Sequence, residues 1–260
     1  MLRRAIFLLL ACALVARPQD PPPPPAGPAA REVLAKALQG PAAERLLAVR
    51  WFEDEGGGVV RVEGERQDGG LRLSVTFLPV GAMREERTRV SCEVGPDGAV
   101  RVVESESVRG RERFAARGEV REGKLHLVAE EGETSTAEWG EEVLPLPLLA
   151  FALPALCDQG LPARLRVRVF HGFSREPEEK LATLTWSEQD GAWKVEVTAL
   201  AEGQPGTRVV SEAGTGAPRE VVLSGMRLTP IDAQEAARRL TPAKPAETPA
   251  KPAETPAKPR

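Results

Sequence analysis

Between Glu85 and Trp139 apolar and polar residues alternate with period two, broken only by tight-turn sequences. That pattern predicts an antiparallel β-meander with one dry face. In Arg87 to Val94, Thr88, Val90, Cys92 and Val94 point one way, and Arg87, Arg89, Ser91 and Glu93 the other. Gly95-Pro96-Asp97-Gly98 supplies turn chemistry, so the chain reverses into Ala99 to Val108. Arg109-Gly110 leads to a strand with Phe114, Ala116 and Val120 on one face. Arg121-Glu122-Gly123 then leads to Leu125, Leu127 and Ala129 alternating with Lys124, His126 and Val128.

The same alternation flanks this block. Val49 and Trp51 alternate with Arg50 and Phe52, Gly56-Gly57-Gly58 turns, and Val60 and Val62 follow; Asp68-Gly69-Gly70 precedes Leu71, Leu73, Val75 and Phe77. Further on, Leu165, Val167 and Val169 alternate with Arg164, Arg166 and Arg168. Leu184 and Trp186, Trp193 to Ala199, Arg208 to Ser211, and Glu220 to Met226 complete the strands. Helical spacing appears at Arg31 to Leu38, stopped by Gly40-Pro41, and in a short segment through Leu47. It returns after Asp232, the expected N-cap of a helix through Leu240. Val143 to Cys157 is almost wholly apolar but broken by Pro145, Pro147 and Pro154, with a short helix expected over Leu148 to Leu153. The fold class is mainly β: a large curved antiparallel meander sheet or half-barrel with short N-terminal helices, one apolar helical insertion and a C-terminal helix. Residues 31–240 are expected to form one domain.

The ends read differently. Met1-Leu2-Arg3-Arg4, the apolar run to Ala16 and the polar break after it have the form of a secretory signal peptide over 1–16. The run is shorter than the ~20 residues a spanning helix needs. Export to the periplasm or beyond is the expectation, with two rivals: an uncleaved anchor, and a lipidated Cys12 in Leu9-Leu10-Ala11-Cys12. Residues 17–30 form a proline-rich spacer. Residues 241–260 repeat Thr-Pro-Ala-Lys-Pro-Ala-Glu, a composition that buries no core and reads as a disordered tail.

Composition removes several classes of function. The net charge of −3 comes from 35 basic and 38 acidic residues that are interspersed, which gives no field for nucleic acid. Only His126 and His171 are histidines, and no nucleophile elbow, phosphate loop or zinc-protease helix occurs. The sequence therefore predicts no enzyme, no cofactor and no metal. Two features remain as candidate chemistry. Arg164, Arg166 and Arg168 form a face that would either meet an anionic partner, such as another envelope protein, or lie solvated beside glutamates. Cys92 and Cys157 either bridge or stay as separate buried thiols.

This order of elements, closing with Met226-Arg227-Leu228-Thr229-Pro230 before the last helix, resembles the half-barrel of bacterial lipoprotein-localisation carriers and related exported proteins. The resemblance spans Arg31 to Leu240 and implies an apolar cavity for an acyl chain or other hydrophobic ligand. It would make Leu148, Leu149, Phe151 and Leu153 a lid and the tryptophans Trp186 and Trp193 a wall. The alternative is a structural or protein-interaction module carried on proline-rich spacers.

Overall fold

The structure, a computed structural model, describes residues 30–39, 42–80, 86–148, 150, 164–172, 177–199, 206–212, 217–223 and 225–241. The expected signal peptide, most of the spacer and nearly all of the repeat tail lie outside these residues.

The protein is mainly β. Two short helices, α1 (Ala30–Gln39) and α2 (Ala42–Leu47), precede β1 (Arg50–Asp54), β2 (Val59–Gln67), β3 (Gly70–Leu78), β4 (Arg87–Val94), β5 (Val100–Arg109), β6 (Glu112–Arg121), β7 (Lys124–Ala129) and β8 (Thr134–Glu138). After β9 (Val143–Pro145) come β10 (Arg164–Phe170), β11 (Glu178–Ser187), β12 (Ala192–Ala199), β13 (Thr207–Glu212), β14 (Pro218–Leu223), β15 (Met226–Ile231) and α3 (Ala233–Leu240). All fifteen strands belong to one sheet in the order β8-β7-β6-β5-β4-β3-β2-β1-β15-β14-β13-β12-β11-β10-β9. Two meanders thus meet where β1 pairs antiparallel with β15.

The sheet curls back on itself. β5 and β10 are ten strand spacings apart in that order, ~48 Å if the sheet were flat. Yet Ser105 Oγ on β5 donates to the carbonyl of Gly172, just past β10, at 2.7 Å. The Trp139 and Phe170 rings, from the two outlying ends of the sheet, meet edge to face at 5.6 Å. Edge strands β8 and β9 are joined by residues 139–142 but share no ladder among the described residues, so the barrel-like roll stays open along that seam.

One core fills the roll. Phe52, Val60, Leu73, Cys92, Leu125, Leu148, Val169, Val195 and Leu228 belong to a single buried cluster. The alternation read from the sequence holds here, with Leu71, Leu73 and Val75 inward and Thr88, Val90 and Cys92 facing Ser107, Ser105 and Val103 across the β4–β5 ladder.

One detail of the sheet differs from the expected meander. The sheet is not wholly antiparallel, because β9 runs parallel to β10; it leaves β8 through a four-residue link and enters the far edge in β10's direction. Pro145 is tolerated there because an edge strand has a free donor side. Of the expected lid, Leu148 is among the described residues and is 1% exposed; Ala150 beyond it is fully buried, while Leu149, Phe151 and Leu153 lie outside the described residues.

The helices close one end. Gly98, with φ +75°, brings the β4–β5 turn so near α1 that a Cβ would lie 2.7 Å from the Ala35 nitrogen and closer still to the Arg31 carbonyl. Leu34 of α1 and Leu46 of α2 enter the core. Asp232 accepts from the Glu235 amide at 2.7 Å, the N-cap expected from sequence, and Arg239 of α3 pairs with Glu53 on β1.

Candidate functional site

The two tryptophans of the expected wall are covered in part. Trp186 and Trp193 sit directly opposite each other on β11 and β12, ring centroids 5.4 Å apart. Trp193 is partly buried against the core, and Trp186 is 42% exposed. Both stand beside the β11–β12 turn, where the sheet ends and cover is lost.

The arginine face is likewise partial. Arg168 forms an ion pair with Glu142 at 3.5 Å and is half-buried, so it serves the seam where β9 meets β10. Arg164 and Arg166 lie on β10 at the same parity, with their side chains outside what is described. Cys92 is a free thiol, 1% exposed on the inner face, and Cys157 lies outside the described residues. Burial pushes the Cys92 thiol up to about 12, so it is neither a nucleophile nor a metal ligand at neutral pH.

An opening that the sequence reading did not isolate lies on the inner face of β6, β7 and β8. Inward positions there run from buried, at Gly118, Leu125 and Ala137, to open, at Phe114, Ala129 and Ser135. Beside the opening the chain leaves β10 at Phe170 and turns at Gly172, whose φ is +91°. A side chain at Gly172 would be strained by that φ and would press on Val90, its Cβ standing 3.0 Å from Cγ1. Beyond this point a cavity of about 510 Å³ remains, lined by Phe114, Ala116, Leu127, Ala129, Ser135 and Gly172 among others. Phe114 is 48% exposed at its rim. Alternation identified Phe114 as inward, but nothing in it marks where the opposing half-sheet ends.

The outer face of β3 to β7 carries a second and larger concavity, about 740 Å³ in volume. Its floor holds Ser91, 3% exposed, which is directly paired across β3 and β4 with Ser74, 2% exposed. Charged side chains interlock over them. Glu104 takes Arg72 at 2.6 Å and also Arg117, and Glu106 takes Arg113 at 3.0 Å and Arg87 at 3.3 Å. Arg121 pairs with Glu119. The sequence showed these residues as the polar half of each strand; their convergence depends on register across five strands.

Among the described residues no group of three or more His, Cys, Asp or Glu side chains is placed to hold a metal ion. No helix is long and apolar enough to cross a membrane, which says nothing of spanning strands. His126 is exposed on the outer face opposite Glu119. His171 lies beside Glu178 at 3.7 Å, with burial holding its imidazole below the usual range.

Comparison with known proteins adds a distant structural likeness. No family model matches the chain, and no curated protein matches it. A crystal structure of a β-barrel-like protein of the domain of unknown function DUF1849 from Brucella abortus is similar over 71% of this chain and 95% of its own, at 11% identity and a TM-score of 0.47.

Proposed function

We propose that this protein is an exported, non-catalytic β domain that takes a hydrophobic, chain-like ligand, such as an acyl chain, into the inner-face opening between β6–β8 and Gly172. The observation that carries this reading is the cavity whose apolar patch is Phe114, Ala116, Leu127 and Ala129, rimmed by Arg113, Glu130, Glu131 and Glu133. Its volume of about 510 Å³ falls within the ~300–1,000 Å³ typical of small-molecule sites. Exposed apolar surface beside a packed core gains free energy when covered, at ~25 cal/mol per Å². The interior behind the opening is already filled by Leu125, Leu148 and their neighbours, so a ligand would lie in the mouth and not traverse the roll.

The test is native mass spectrometry of the chain purified from an exporting host, together with displacement of a fluorescent long-chain fatty acid. Bound hydrophobe, lost in Phe114→Asp with the melting temperature little changed, supports the reading. No bound hydrophobe and no probe binding by the wild-type chain would refute it. Sequencing the amino terminus of the mature product tests export separately, since cleavage near Ala16 is expected. The alternative, a protein-interaction module docking through Arg164, Arg166 and Arg168, is less supported because Arg168 is already engaged by Glu142.

A further inference from the structure

We propose that the outer-face concavity is a separate ligand site in which Arg89 binds the oxyanion, carboxylate or phosphate, of a small organic molecule lying across β4 to β6. Arg89 is the arginine of this basin that lacks a carboxylate. Arg72, Arg113, Arg117 and Arg121 each hold a glutamate, but among the described residues none lies within ion-pair distance of Arg89. Register places Glu106 directly opposite it, yet Glu106 is occupied by Arg87 and Arg113. Among the described residues its side chain makes one hydrogen bond, from Nη2 to Ser74 Oγ at 3.1 Å. Its Nε is shielded from solvent with no acceptor.

A half-buried guanidinium with no carboxylate in ion-pair contact keeps unmet donors, which an arriving anion would satisfy. The planar fork of donors fits two oxygens of a carboxylate or phosphate side by side. The surroundings suit such a ligand. Ser91 on the floor donates its single O–H to Glu104 over a long 3.4 Å, a weak bond from which that proton can turn to an arriving oxyanion. Ala115 and Val128 on the far side of the basin, the latter 50% exposed, offer an apolar surface for the body of the molecule. The volume of about 740 Å³ is that of a site for an organic ligand rather than a bare ion. The two concavities share Arg113, Ala115, Ala116, Ala129 and Glu130 at their common margin, but Arg89 and Phe114 stand on opposite faces of the sheet, so a substitution at one leaves the other in place.

The experiment uses the full mature chain at low ionic strength, with inorganic phosphate and benzoate as probes. Binding is read by calorimetry and by the Arg89 Nε–H resonance in the wild-type protein. The expected result is saturable binding of one or both probes with movement of that resonance. Tighter phosphate binding points to a phosphoryl ligand and tighter benzoate binding to a carboxylate on an apolar body. Arg89→Ala should weaken binding about tenfold or more, as loss of a charge-assisted bidentate contact does. Arg219→Ala, on β14 and paired with Glu212, should leave it unchanged. Should Arg89→Ala fail to fold, Arg89→Lys keeps the charge without the fork and should still weaken binding measurably. Absence of binding by both probes, equal binding by the Arg89 variants, or a resonance that does not move at saturation would each overturn the proposal.

Discussion

Gly98 offers the sharpest test of how the helices are seated. Replacing it with alanine has two costs. Its φ of +75° lies in the left-handed region, which adds ~1–2 kcal/mol for a residue with a side chain. The new methyl would also meet the backbone of α1, at 2.7 Å from the Ala35 nitrogen and nearer the Arg31 carbonyl. Overpacking of this kind costs ~1–3 kcal/mol. The helix has an escape, which is to lift away. That would forfeit the burial of Leu34, about 1.5–3 kcal/mol, and the exposed Arg31–Asp97 pair at 2.7 Å, about 0–1 kcal/mol. Whichever route is cheaper sets the penalty, so the total should fall near 2–5 kcal/mol. Gly191→Ala is the control, because φ is +55° there and a Cβ would meet nothing within 4 Å. It should lose only the conformational ~1–2 kcal/mol. Urea melts of both variants, compared at equal slope, give the difference directly; in thermal melts each kcal/mol is worth ~2–4 °C at this size. Equal destabilisation in the two variants would refute the seating of α1 on the turn.

Other consequences follow from the same geometry. Cys92 should resist thiol reagents in the native protein at about pH 8 and react fully once unfolded, since burial raises it to about 12; rapid native labelling would contradict its burial. His171 is held below the usual imidazole range by burial. The unfolded chain therefore binds more protons near and below pH ~6.5, and stability should fall as pH drops through the folded value. His171→Gln should remove that step and leave a second one in stronger acid, where protonating Glu178 breaks its hydrogen bond with Lys180, which holds it low. Denaturant midpoints across pH check both. Asp232→Ala should cost about 1 kcal/mol by freeing the Glu235 amide at the start of α3.

What the sequence made legible was local. Arg87 to Val94 is a strand over the span read from its alternation, Asp232 caps the last helix, and Gly95 to Gly98 turns. What it hid was nonlocal. Trp51 and Phe52 share a strand end, and only the pairing with β2 and β15 decides that Phe52 is buried while Trp51 faces out, with Arg61 5.4 Å from its ring centroid. β9 was lost in an apolar stretch because three residues carry no period. Trp186 lies at an inward parity but beyond the reach of cover. The two concavities depend on where one half-sheet stops over the other, and on side chains from five strands meeting, which no window of sequence contains.

The joint between β1 and β15 also fixes how the molecule responds to force. The strands are antiparallel, and the start of β1 and the end of β15 lie at the same end of their ladder, where Trp51 faces Ile231. Tension applied through flanking segments would load the rungs in succession and peel them from Trp51↔Ile231 toward Asp54↔Leu228, instead of straining all four together. Among the described residues the clip from Arg239 to Glu53, two rungs in, and the seating of the helices reinforce this joint, so the roll is built to come apart at its middle.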